Sequence, residues 1–445
     1  MVAAARSVEP FMFDRAAETM PRGDIAALQL ARLQRTIEYA CARVPHVRHK
    51  LAAAGVKPGQ IKALADLAAV PFSTKADLRD NYPYGLFAVP LERVRRLHAS
   101  SGTTGKPTVV GYTSDDLDLW SQLMARSLAC MGARPGDVFH NAYGYGLFTG
   151  GLGFHYGAER LGLTTVPVSG GATERQVTLI GDFGANILGA TPSYALNIAE
   201  VAQAMGVDLR RLKLRYGCFG AEPWSEALRG NLEGRFGIKA QDIYGLSEIL
   251  GPGVASECYQ AQSGLHVWED HFLCEVIDPD SLAVLRPGET GELVLTTLTK
   301  QALPMLRYRT RDITRLIEEP CACGRTHRRI KRMTGRSDDM LIIRGVNVYP
   351  SQIEAFLVGF PGLAPHYQMV LSRAGPMDAL TIEVELASPA PLDDPSVAGL
   401  ASNVRAHLKA MVGVTCEVAL KAPGEVPRSQ GKAVRVKDLR SAEKS

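Results

Sequence analysis

Short apolar segments alternate with helix-like segments from residue 94 to about residue 334, and this alternation constrains the fold most. In two clear units, NILGA (186–190) precedes PSYALNIAEVAQAMG, and LRYGCFGAE (214–222) precedes SEALRGNLEGRFG. Such alternation predicts a largely parallel β-sheet covered by helices. Ligands bind such sheets beyond the C-terminal ends of the strands. We therefore expect two loops to line one crevice, the loop of Gly220, Ala221 and Glu222 and the loop of Tyr244 and Gly245.

The pattern changes on both sides of this region. The segment LQLARLQRTIEYACARV (28–44) has helical apolar spacing and is expected to pack on the main body. Residues 273–317 read as turn-punctuated strands such as GELVLTTL, which predicts a β-rich subdomain. The segment TGRSDDMLIIRGVNVYPSQIE (334–354) begins as a polar turn and continues as an apolar strand. Roughly a hundred residues follow it, enough for one small domain. We predict domains of residues 1–337 and 338–445.

Composition indicates a globular protein of the cell interior. Of 445 residues, 46% are hydrophobic and 22% charged, and the net charge of +4 is too small to indicate binding to nucleic acid or a membrane. No apolar run has membrane-spanning length, and the N-terminal residues do not resemble a signal peptide. The eight cysteines are scattered, apart from Cys321 and Cys323. This usage predicts a reducing cytoplasm and no disulfide framework.

The stretch HASSGTTGKPTVVGYT (98–113) has the composition of a phosphate-binding loop, because glycine lets the backbone approach an anion and hydroxyls and lysine bind it. It is not a Walker loop. Ser100 stands where that motif requires glycine, and Pro107 stands where it requires the Ser/Thr magnesium ligand. Pro107 also disfavours a helix at Lys106, and TVVGYT reads as a strand. We predict a turn between strands, with a plain Ser/Gly-rich surface loop as the alternative.

Six motifs occur in a fixed order: SSGTTGKP, GAEPW (220–224), YGLSE (244–248), YRTRD (308–312), GRSDD (335–339) and SQGK (429–432). Together they resemble the adenylate-forming superfamily of acyl-CoA synthetases, luciferases and peptide-synthetase adenylation domains. The segments DNYPYGLFAVP, YGLSEILGPGVASEC, WEDHF and RYRTRDITRL are similar to its phenylacetate–CoA ligase branch, and the resemblance runs from about residue 11 to residue 437. It implies an α/β fold: a large domain of mixed sheets covered by helices with a β-rich subdomain, and a small, mobile α+β C-terminal domain.

The resemblance implies ATP-dependent ligation of phenylacetate to coenzyme A through an acyl-adenylate, with release of AMP and pyrophosphate, as the first step of aerobic phenylacetate catabolism. Cations and N–H donors would offset the repulsion between carboxylate and triphosphate. Glu248 would coordinate Mg²⁺, unless it merely caps a helix opened by Ser247. The residues that would hold the ATP phosphates are Ser100, Ser101, Gly102, Thr103, Thr104, Gly105 and Lys106.

The same resemblance assigns the nucleoside. Asp312 would accept the ribose hydroxyls with Arg336 as a second contact, although an ion pair of Asp312 with Arg309 or Arg311 is the simpler alternative. The residues that would frame the adenine are Ala221, Glu222, Tyr244 and Gly245, and Tyr244 could equally be a core aromatic.

Three residues of the C-terminal domain receive roles. Lys432 would bridge the carboxylate and the α-phosphate, whereas a lysine in a Gly-rich turn is ordinarily solvated. Asp338 would be the hinge about which the domain rotates after adenylation. Gly345 would leave room for the pantetheine arm of coenzyme A, or it is an ordinary turn residue.

Two further sites are predicted. The aryl acid would contact Gly220 and the aromatic residues Tyr143, Phe148 and Tyr194, for which plain packing is the alternative. Four residues would bind structural Zn²⁺, with buried, reduced cysteines as the alternative. These are Cys258, His266, Cys321 and Cys323, with His327, His271 and Cys274 as competing ligands.

Other functions stay open at this point. The enzyme could activate another aryl acid, such as a substituted benzoate or anthranilate, or pass the acyl group to an amine or a carrier protein. A non-catalytic nucleotide-binding protein is the alternative from another class. A homodimer is implied by the resemblance alone.

Overall fold

The computed structural model describes residues 10–100, 107–339, 341–344, 346–374, 377–392, 394–428 and 433–440, and for residues 342, 347, 374 and 377 it describes the backbone only. Several predicted site residues therefore lie outside the described residues. They are Ser101, Gly102, Thr103, Thr104, Gly105, Lys106, Gly345 and Lys432.

The helices, numbered in chain order, are α1 Arg15–Glu18, α2 Arg22–Arg43, α3 Pro45–Ala53, α4 Lys75–Asp80, α5 Ser114–Cys130, α6 Thr149–Leu161, α7 Thr173–Asp182, α8 Pro192–Ala204, α9 Glu226–Phe236, α10 Pro350–Leu357 and α11 Pro395–Val412. Short 3₁₀ helices span Pro58–Gln60, Leu64–Ala69, Leu91–Arg93 and Leu209–Arg211. The helices expected at 28–44 and after the two apolar runs are confirmed as α2, α8 and α9.

The strands are β1 Arg96–Ala99, β2 Val109–Tyr112, β3 Val138–Asn141, β4 Thr164–Val166, β5 Ile187–Ala190, β6 Tyr216–Gly220, β7 Lys239–Leu246, β8 Gly251–Glu257, β9 Leu265–Val267, β10 Phe272–Ile277, β11 Gly291–Thr297, β12 Tyr308–Thr314, β13 Leu316–Ile317, β14 Arg329–Ile330, β15 Gly335–Arg336, β16 Leu341–Ile343, β17 Val346–Val348, β18 Leu363–Ala374, β19 Met377–Leu386, β20 Glu417–Lys421 and β21 Val436–Asp438.

The largest sheet has the strand order β13-β14-β9-β8-β7-β6-β5-β3-β4. Strands β4, β3, β5, β6 and β7 are parallel, as the alternation predicts. The other strands pair antiparallel, because the short turn after β7 returns the chain directly along β8, and a short turn permits only antiparallel pairing. The expectation of a largely parallel sheet is therefore correct for one half, and the mixed sheets of the resemblance are confirmed.

Two four-stranded sheets and two two-stranded sheets, β1-β2 and β16-β17, complete the described chain. The antiparallel sheet β10-β11-β12-β15 confirms the β-rich subdomain. Near the C-terminus, the antiparallel pair β18–β19 is flanked by β21 and β20, each parallel to its neighbour. This sheet and the helices α10 and α11 enclose a hydrophobic core of their own, from Ile343 to Val418. The α+β character of the small domain is confirmed, and the boundary between residues 337 and 338 stays a prediction.

None of the described helices combines the length and the hydropathy needed to cross a lipid bilayer. All eight cysteines lie in the described part of the chain and all are free thiols, as cysteine usage predicts.

Helices α5 and α6 approach closely in the core of the large domain. A Cβ atom on Gly157 of α6 would lie 2.2 Å from Cβ of Met124 and 3.0 Å from its backbone carbonyl carbon. Such a contact cannot form unless the helices separate, because well-packed interiors have no spare volume. A hydrogen side chain at residue 157 therefore sets the spacing of the two helices.

This spacing gives a stability test with an internal control. We expect Gly157→Ala to lower the free energy of unfolding by about 1–3 kcal/mol, because the added methyl group overpacks the contact with α5. Gly234→Ala in α9 makes the same chemical change where no atom lies within 4 Å, and it should raise stability by about 0.5–1 kcal/mol. Thermal or urea unfolding of both variants measures the two signs. Equal effects would contradict the packing argument.

Candidate active site

The predicted phosphate loop joins two antiparallel strands. β1 pairs with β2, and the Ser100 N–H donates to the Thr108 carbonyl at 3.0 Å, which closes the neck of the hairpin. The strands that the sequence predicts on either side of this turn are therefore present. Ser100 stands at its start and the other predicted phosphate contacts lie outside the described residues. Next to the neck, the buried His98 ring bonds through Nδ1 to the Leu147 carbonyl at 3.0 Å.

The GAE segment follows β6 at the C-terminal end of the parallel strands. Gly220 ends β6, where a Cβ atom would lie 2.3 Å from the Ile243 carbonyl oxygen, so the neighbouring strand requires glycine there. Ala221 has a φ of 71°, a left-handed value that is strained for a residue with a side chain. The Glu222 carboxylate accepts hydrogen bonds from the backbone N–H groups of Ser193 and Ala433, each at 2.7 Å.

Asp312 is the centre of a polar cluster that joins β7, β12 and β15. The Tyr244 hydroxyl donates to one carboxylate oxygen of Asp312 at 2.6 Å, and Arg336 donates to the other at 3.1 Å. Burial, and next the charge of Asp312, raises the pKa of Tyr244 well above its usual value, so the hydroxyl keeps its proton. Tyr244 is therefore more than a core aromatic, because its hydroxyl holds an acidic group in place.

The arginines next to Asp312 in sequence face elsewhere. Arg309 donates two hydrogen bonds to Glu292, at 2.9 and 2.8 Å, and Arg311 pairs with the same carboxylate at 3.4 Å. An irregularity in the β11–β12 register and a φ of 70° at Arg311 separate these side chains from Asp312. The alternative in which Asp312 pairs with Arg309 or Arg311 is therefore wrong.

Arg336 also connects this cluster to the predicted hinge. Its guanidinium donates to both carboxylate oxygens of Asp338, at 2.9 and 3.1 Å. Although burial lowers the pKa of Arg336, the carboxylates of Asp312 and Asp338 raise it above its usual value, so this cation is permanent. Asp338 lies between β15 and β16, where the chain passes from the large sheets to the small domain.

Glu248 lies in the turn between β7 and β8. The Ile249 and Leu250 N–H groups both bond to the Leu246 carbonyl at 3.1 Å, and the chain then enters β8, so the alternative of a helix cap is wrong. The buried Lys300 ammonium lies 3.5 Å from the Glu248 carbonyl oxygen. Burial, and next the charge of Glu248, raises the pKa of Tyr308 well above its usual value, which indicates that Tyr308 borders the carboxylate.

The predicted aryl-acid residues do not share one environment. Tyr143 stacks on Phe154 with ring centroids 4.7 Å apart and donates to the Cys218 carbonyl at 3.2 Å. Tyr194 is buried in a different hydrophobic cluster, and its hydroxyl donates to the Gly171 carbonyl at 2.8 Å. Phe148 is 44% exposed. Their contact with a substrate stays a prediction.

The four predicted metal ligands lie together. The ligand atoms of Cys258, His266, Cys321 and Cys323 are all within 4.8 Å of one another, with Cys258 and Cys321 sulfurs 3.6 Å apart and Cys323 Sγ 3.3 Å from His266 Nε2. The other ring nitrogen of His266 bonds to the His327 carbonyl at 3.1 Å, which directs Nε2 at the sulfurs. Four such ligands, mostly buried, match a closed tetrahedral zinc site.

The competing ligands are engaged elsewhere. His327 lies between the Glu269 N–H, at 2.9 Å, and the Ala17 carbonyl, also at 2.9 Å. His271 pairs with Asp270 at 3.2 Å. Neither these histidines nor Cys274 belongs to the described group of ligands.

Sequence reasoning missed two charged residues near the candidate site. Lys300 gave no signal beyond being a lysine that follows a buried strand. Glu200 gave no signal beyond being an acidic residue on an amphipathic helix. In the structure, Glu200 on α8 contacts His366 and Arg428 of the small domain. Such contacts arise between segments far apart in the chain, which no local pattern encodes.

Comparison with known proteins identifies the family. Residues 40–299 match the AMP-binding enzyme family, and residues 345–440 match the AMP-binding enzyme C-terminal domain. The chain is 53% identical over 443 residues to the phenylacetate-coenzyme A ligase of Thermus thermophilus, covering 96% of this chain and 100% of that one. The chain belongs to the phenylacetate–coenzyme A ligase family. The family member of Escherichia coli is 53% identical over 426 residues, covering 95% of this chain and 97% of that one.

Two solved structures of one related ligase, in different states, match the structure of this chain to different degrees. 2-Hydroxyisobutyryl-CoA ligase in the postadenylation state with 2-HIB-AMP gives a TM-score of 0.91 at 30% identity, covering 99% of this chain and 94% of that chain. The same enzyme in the thioesterification state with 2-HIB-AMP and CoA gives 0.72 at 31% identity, covering 96% of this chain and 93% of that chain. The two domains of this family member are therefore arranged more like the postadenylation state.

The buried Lys300 predicts a pH dependence of stability. Burial lowers its pKa to about 8, against the opposing charges of Asp116 and Glu248. A lysine with a depressed pKa binds its proton more tightly in the unfolded chain, so folding becomes more favourable as pH rises from the folded pKa to the unfolded one. Between about pH 8 and about pH 10.4, the free energy of unfolding of the native chain should rise by on the order of 3 kcal/mol relative to that of Lys300→Met.

Urea unfolding of both proteins across that range measures the difference. The matched control is Lys62→Met, which makes the same chemical change at an exposed lysine. If the difference in free energy of unfolding between the native chain and Lys300→Met did not change with pH, it would contradict a buried ammonium with a lowered pKa.

Proposed function

We propose that the protein ligates phenylacetate to coenzyme A in an ATP-dependent reaction that passes through phenylacetyl-adenylate and releases AMP and pyrophosphate. The observation that carries this proposal is the match, at 52–53% identity over 93–96% of the chain, to four phenylacetate-coenzyme A ligases. The cluster of Tyr244, Asp312 and Arg336 supports it, since a fixed carboxylate can accept both vicinal hydroxyls of a ribose.

In this mechanism the large domain holds ATP and the acid. The loop from Ser100 to Lys106 binds the phosphates, while Ala221, Glu222, Tyr244 and Gly245 frame the adenine. Glu248 would hold Mg²⁺, since a carboxylate is a ligand of the kind that this hard cation prefers, and the ion would offset phosphate charge when bound. The aryl group would lie against Gly220, Tyr143, Phe148 and Tyr194.

The small domain supplies the mobile groups. Lys432 lies next in sequence to Ala433, whose N–H donates to Glu222 in the GAE segment. In that arrangement Lys432 neutralises charge between the attacking carboxylate and the α-phosphate, which is the largest electrostatic demand of the first step. Rotation about Asp338 then removes Lys432 and brings Gly345 to the site for attack by the coenzyme A thiol. A homodimer is the oligomeric state that we propose, and sedimentation equilibrium tests it.

Variants of Lys432 and Asp338 test the two half-reactions separately. Lys432→Ala should lower phenylacetate-dependent pyrophosphate exchange about a hundredfold or more, because a charge contact of the transition state is lost. Pre-made phenylacetyl-adenylate with coenzyme A should bypass the defect. Asp338→Pro should keep exchange and lose thioester formation, because proline fixes φ at the hinge.

Matched controls separate these effects from general damage. Lys437→Ala removes an exposed lysine of β21 and should leave both half-reactions intact. Asp338→Ala breaks the ion pair with Arg336 but leaves the backbone free to rotate, so it should keep thioester formation. AMP formation by the native chain with a panel of aryl acids, including benzoate and anthranilate, tests the substrate. Failure of phenylacetate to support pyrophosphate release would refute the proposed function.

The cysteine–histidine cluster is proposed to bind structural Zn²⁺. Purified protein should contain about one zinc per chain, and chelation should lower the melting temperature, because metal binding to the folded state adds to stability. Cys323→Ser should lose the metal, whereas Cys41→Ser, outside the cluster, should keep it. Four protein ligands leave no open position, so ligation by the folded enzyme should be unchanged. Metal analysis that finds no zinc after growth with added zinc would exclude the site.

A further inference from the structure

Two carboxylates of the large domain contact the small domain on either side of the tetrapeptide 429–432, which includes Lys432. On one side, the Arg428 Nε donates to Glu200 Oε2 at 3.2 Å. On the other side, the Ala433 N–H donates to Glu222 Oε2 at 2.7 Å. The described chain is thus anchored at Arg428, before these four residues, and at Ala433, after them.

Both anchor points rest on one helix. Glu200 lies on α8, and the other oxygen of Glu222 accepts from the N–H of Ser193 in the first turn of the same helix, at 2.7 Å. A cleft between the domains separates the two points, and its lining includes Ser193, Arg428 and Ala433. Because a helix is rigid, α8 sets the distance between the two anchors.

The partners of Glu200 are held within the small domain. Arg428 forms a two-point contact with the buried Glu385, at 2.7 and 2.9 Å, so its guanidinium is oriented before it meets Glu200. The His366 ring of β18 bonds to the other oxygen of Glu200. Although burial raises the pKa of Glu200, the hydrogen bond and charge of His366, with the charge of Arg428, lower it below its usual value, which keeps the carboxylate ionised.

We propose that Glu200 and Glu222 form a carboxylate clamp that positions the loop carrying Lys432 for adenylate formation and opens when the small domain rotates. Glu200 is a positioning residue that acts through Arg428, not a catalytic one. The Glu200 and Arg428 side chains are each 25% exposed, so water can replace their contact during rotation. The better match to the postadenylation structure than to the thioesterification structure is consistent with a clamp present in one arrangement.

Glu200→Gln tests the clamp, because it removes the charge while preserving the size of the side chain. Arg428 keeps Glu385, so the small domain should fold. We expect kcat for phenylacetate-dependent pyrophosphate exchange to fall about tenfold with little change in KM for ATP. Thioester formation from supplied phenylacetyl-adenylate and coenzyme A should stay at the native rate. Glu174→Gln, an exposed carboxylate of the neighbouring α7, is the matched control and should change neither half-reaction.

Hydrogen–deuterium exchange gives a readout that does not need activity. The peptide that contains Ala433 should exchange faster in Glu200→Gln than in the native chain or in Glu174→Gln, because loss of the anchor at Arg428 leaves the segment held only by the contact between Glu222 and Ala433. A double-mutant cycle tests whether Glu200 acts through Arg428. In an Arg428→Gln background, Glu200→Gln should lower pyrophosphate exchange little further, since the two residues act as one unit.

The inference rests on the proposed function for the role of Lys432, and the two can fail separately. If the native chain shows no phenylacetate-dependent pyrophosphate exchange, the proposed function is refuted. Hydrogen–deuterium exchange of the peptide that contains Ala433 still tests the clamp in that case. A native chain that is active, with Glu200→Gln affecting both half-reactions equally or neither, overturns the clamp. Unchanged deuterium exchange at Ala433 overturns it as well.

Discussion

A single guanidinium joins the candidate nucleotide site to the segment that enters the small domain. Arg336 donates to Asp312, which Tyr244 holds from the other side, and it also binds both oxygens of Asp338. One guanidinium can join two carboxylates stably, because each ion pair orients the guanidinium for the other. Neither carboxylate is then left unpaired in a partly buried environment. The ribose-binding group and the hinge of the proposed mechanism therefore share one cation.

Helix α8 plays a comparable part for the opposite end of the small domain. The N–H of Ser193 in its first turn donates to Glu222, and a later turn carries Glu200, which binds Arg428. The GAE segment and the carboxylate that binds Arg428 are therefore held by one rigid helix. The candidate active site is thus assembled from a parallel sheet with its helices and from a small domain whose contacts with it include the polar ones of Glu200 and Glu222. Polar contacts of this kind are weak enough to exchange with water, which suits the proposed mechanism, in which the two half-reactions need different domain arrangements.

The proposed role of the cysteine–histidine cluster is structural, because the residues around it hold the N-terminal segment of the chain. The loop that carries Cys321 and Cys323 continues into residues that bind the N-terminal segment: Arg325 pairs with the buried Glu18 at 2.6 Å, and His327 bonds to the Ala17 carbonyl. A metal at the cluster would hold this loop, and through it the N-terminal segment, against the antiparallel end of the large sheet, where β9 pairs with β14. This accounts for an expected effect on stability without one on the reaction.

The sequence by itself determined the α/β class, the order of its elements and the residue types of the site. Periodicity and turn residues act over a few neighbours, so α2, α8, α9, the β1–β2 hairpin and the β-rich subdomain could be predicted from local patterns. The motif order indicated the family, and the four candidate metal ligands followed from residue chemistry. Only the tertiary structure decided which charges meet. Asp312 pairs with Arg336 and not with its neighbours Arg309 and Arg311, because a register irregularity in β12 turns those side chains towards Glu292. Half of the large sheet is antiparallel because of one short turn at Glu248, and Glu200 gains its partners only when residues 166 and 228 positions away fold against α8. Such pairings depend on where whole elements pack, and packing is a property of the folded chain that no local stretch of sequence contains.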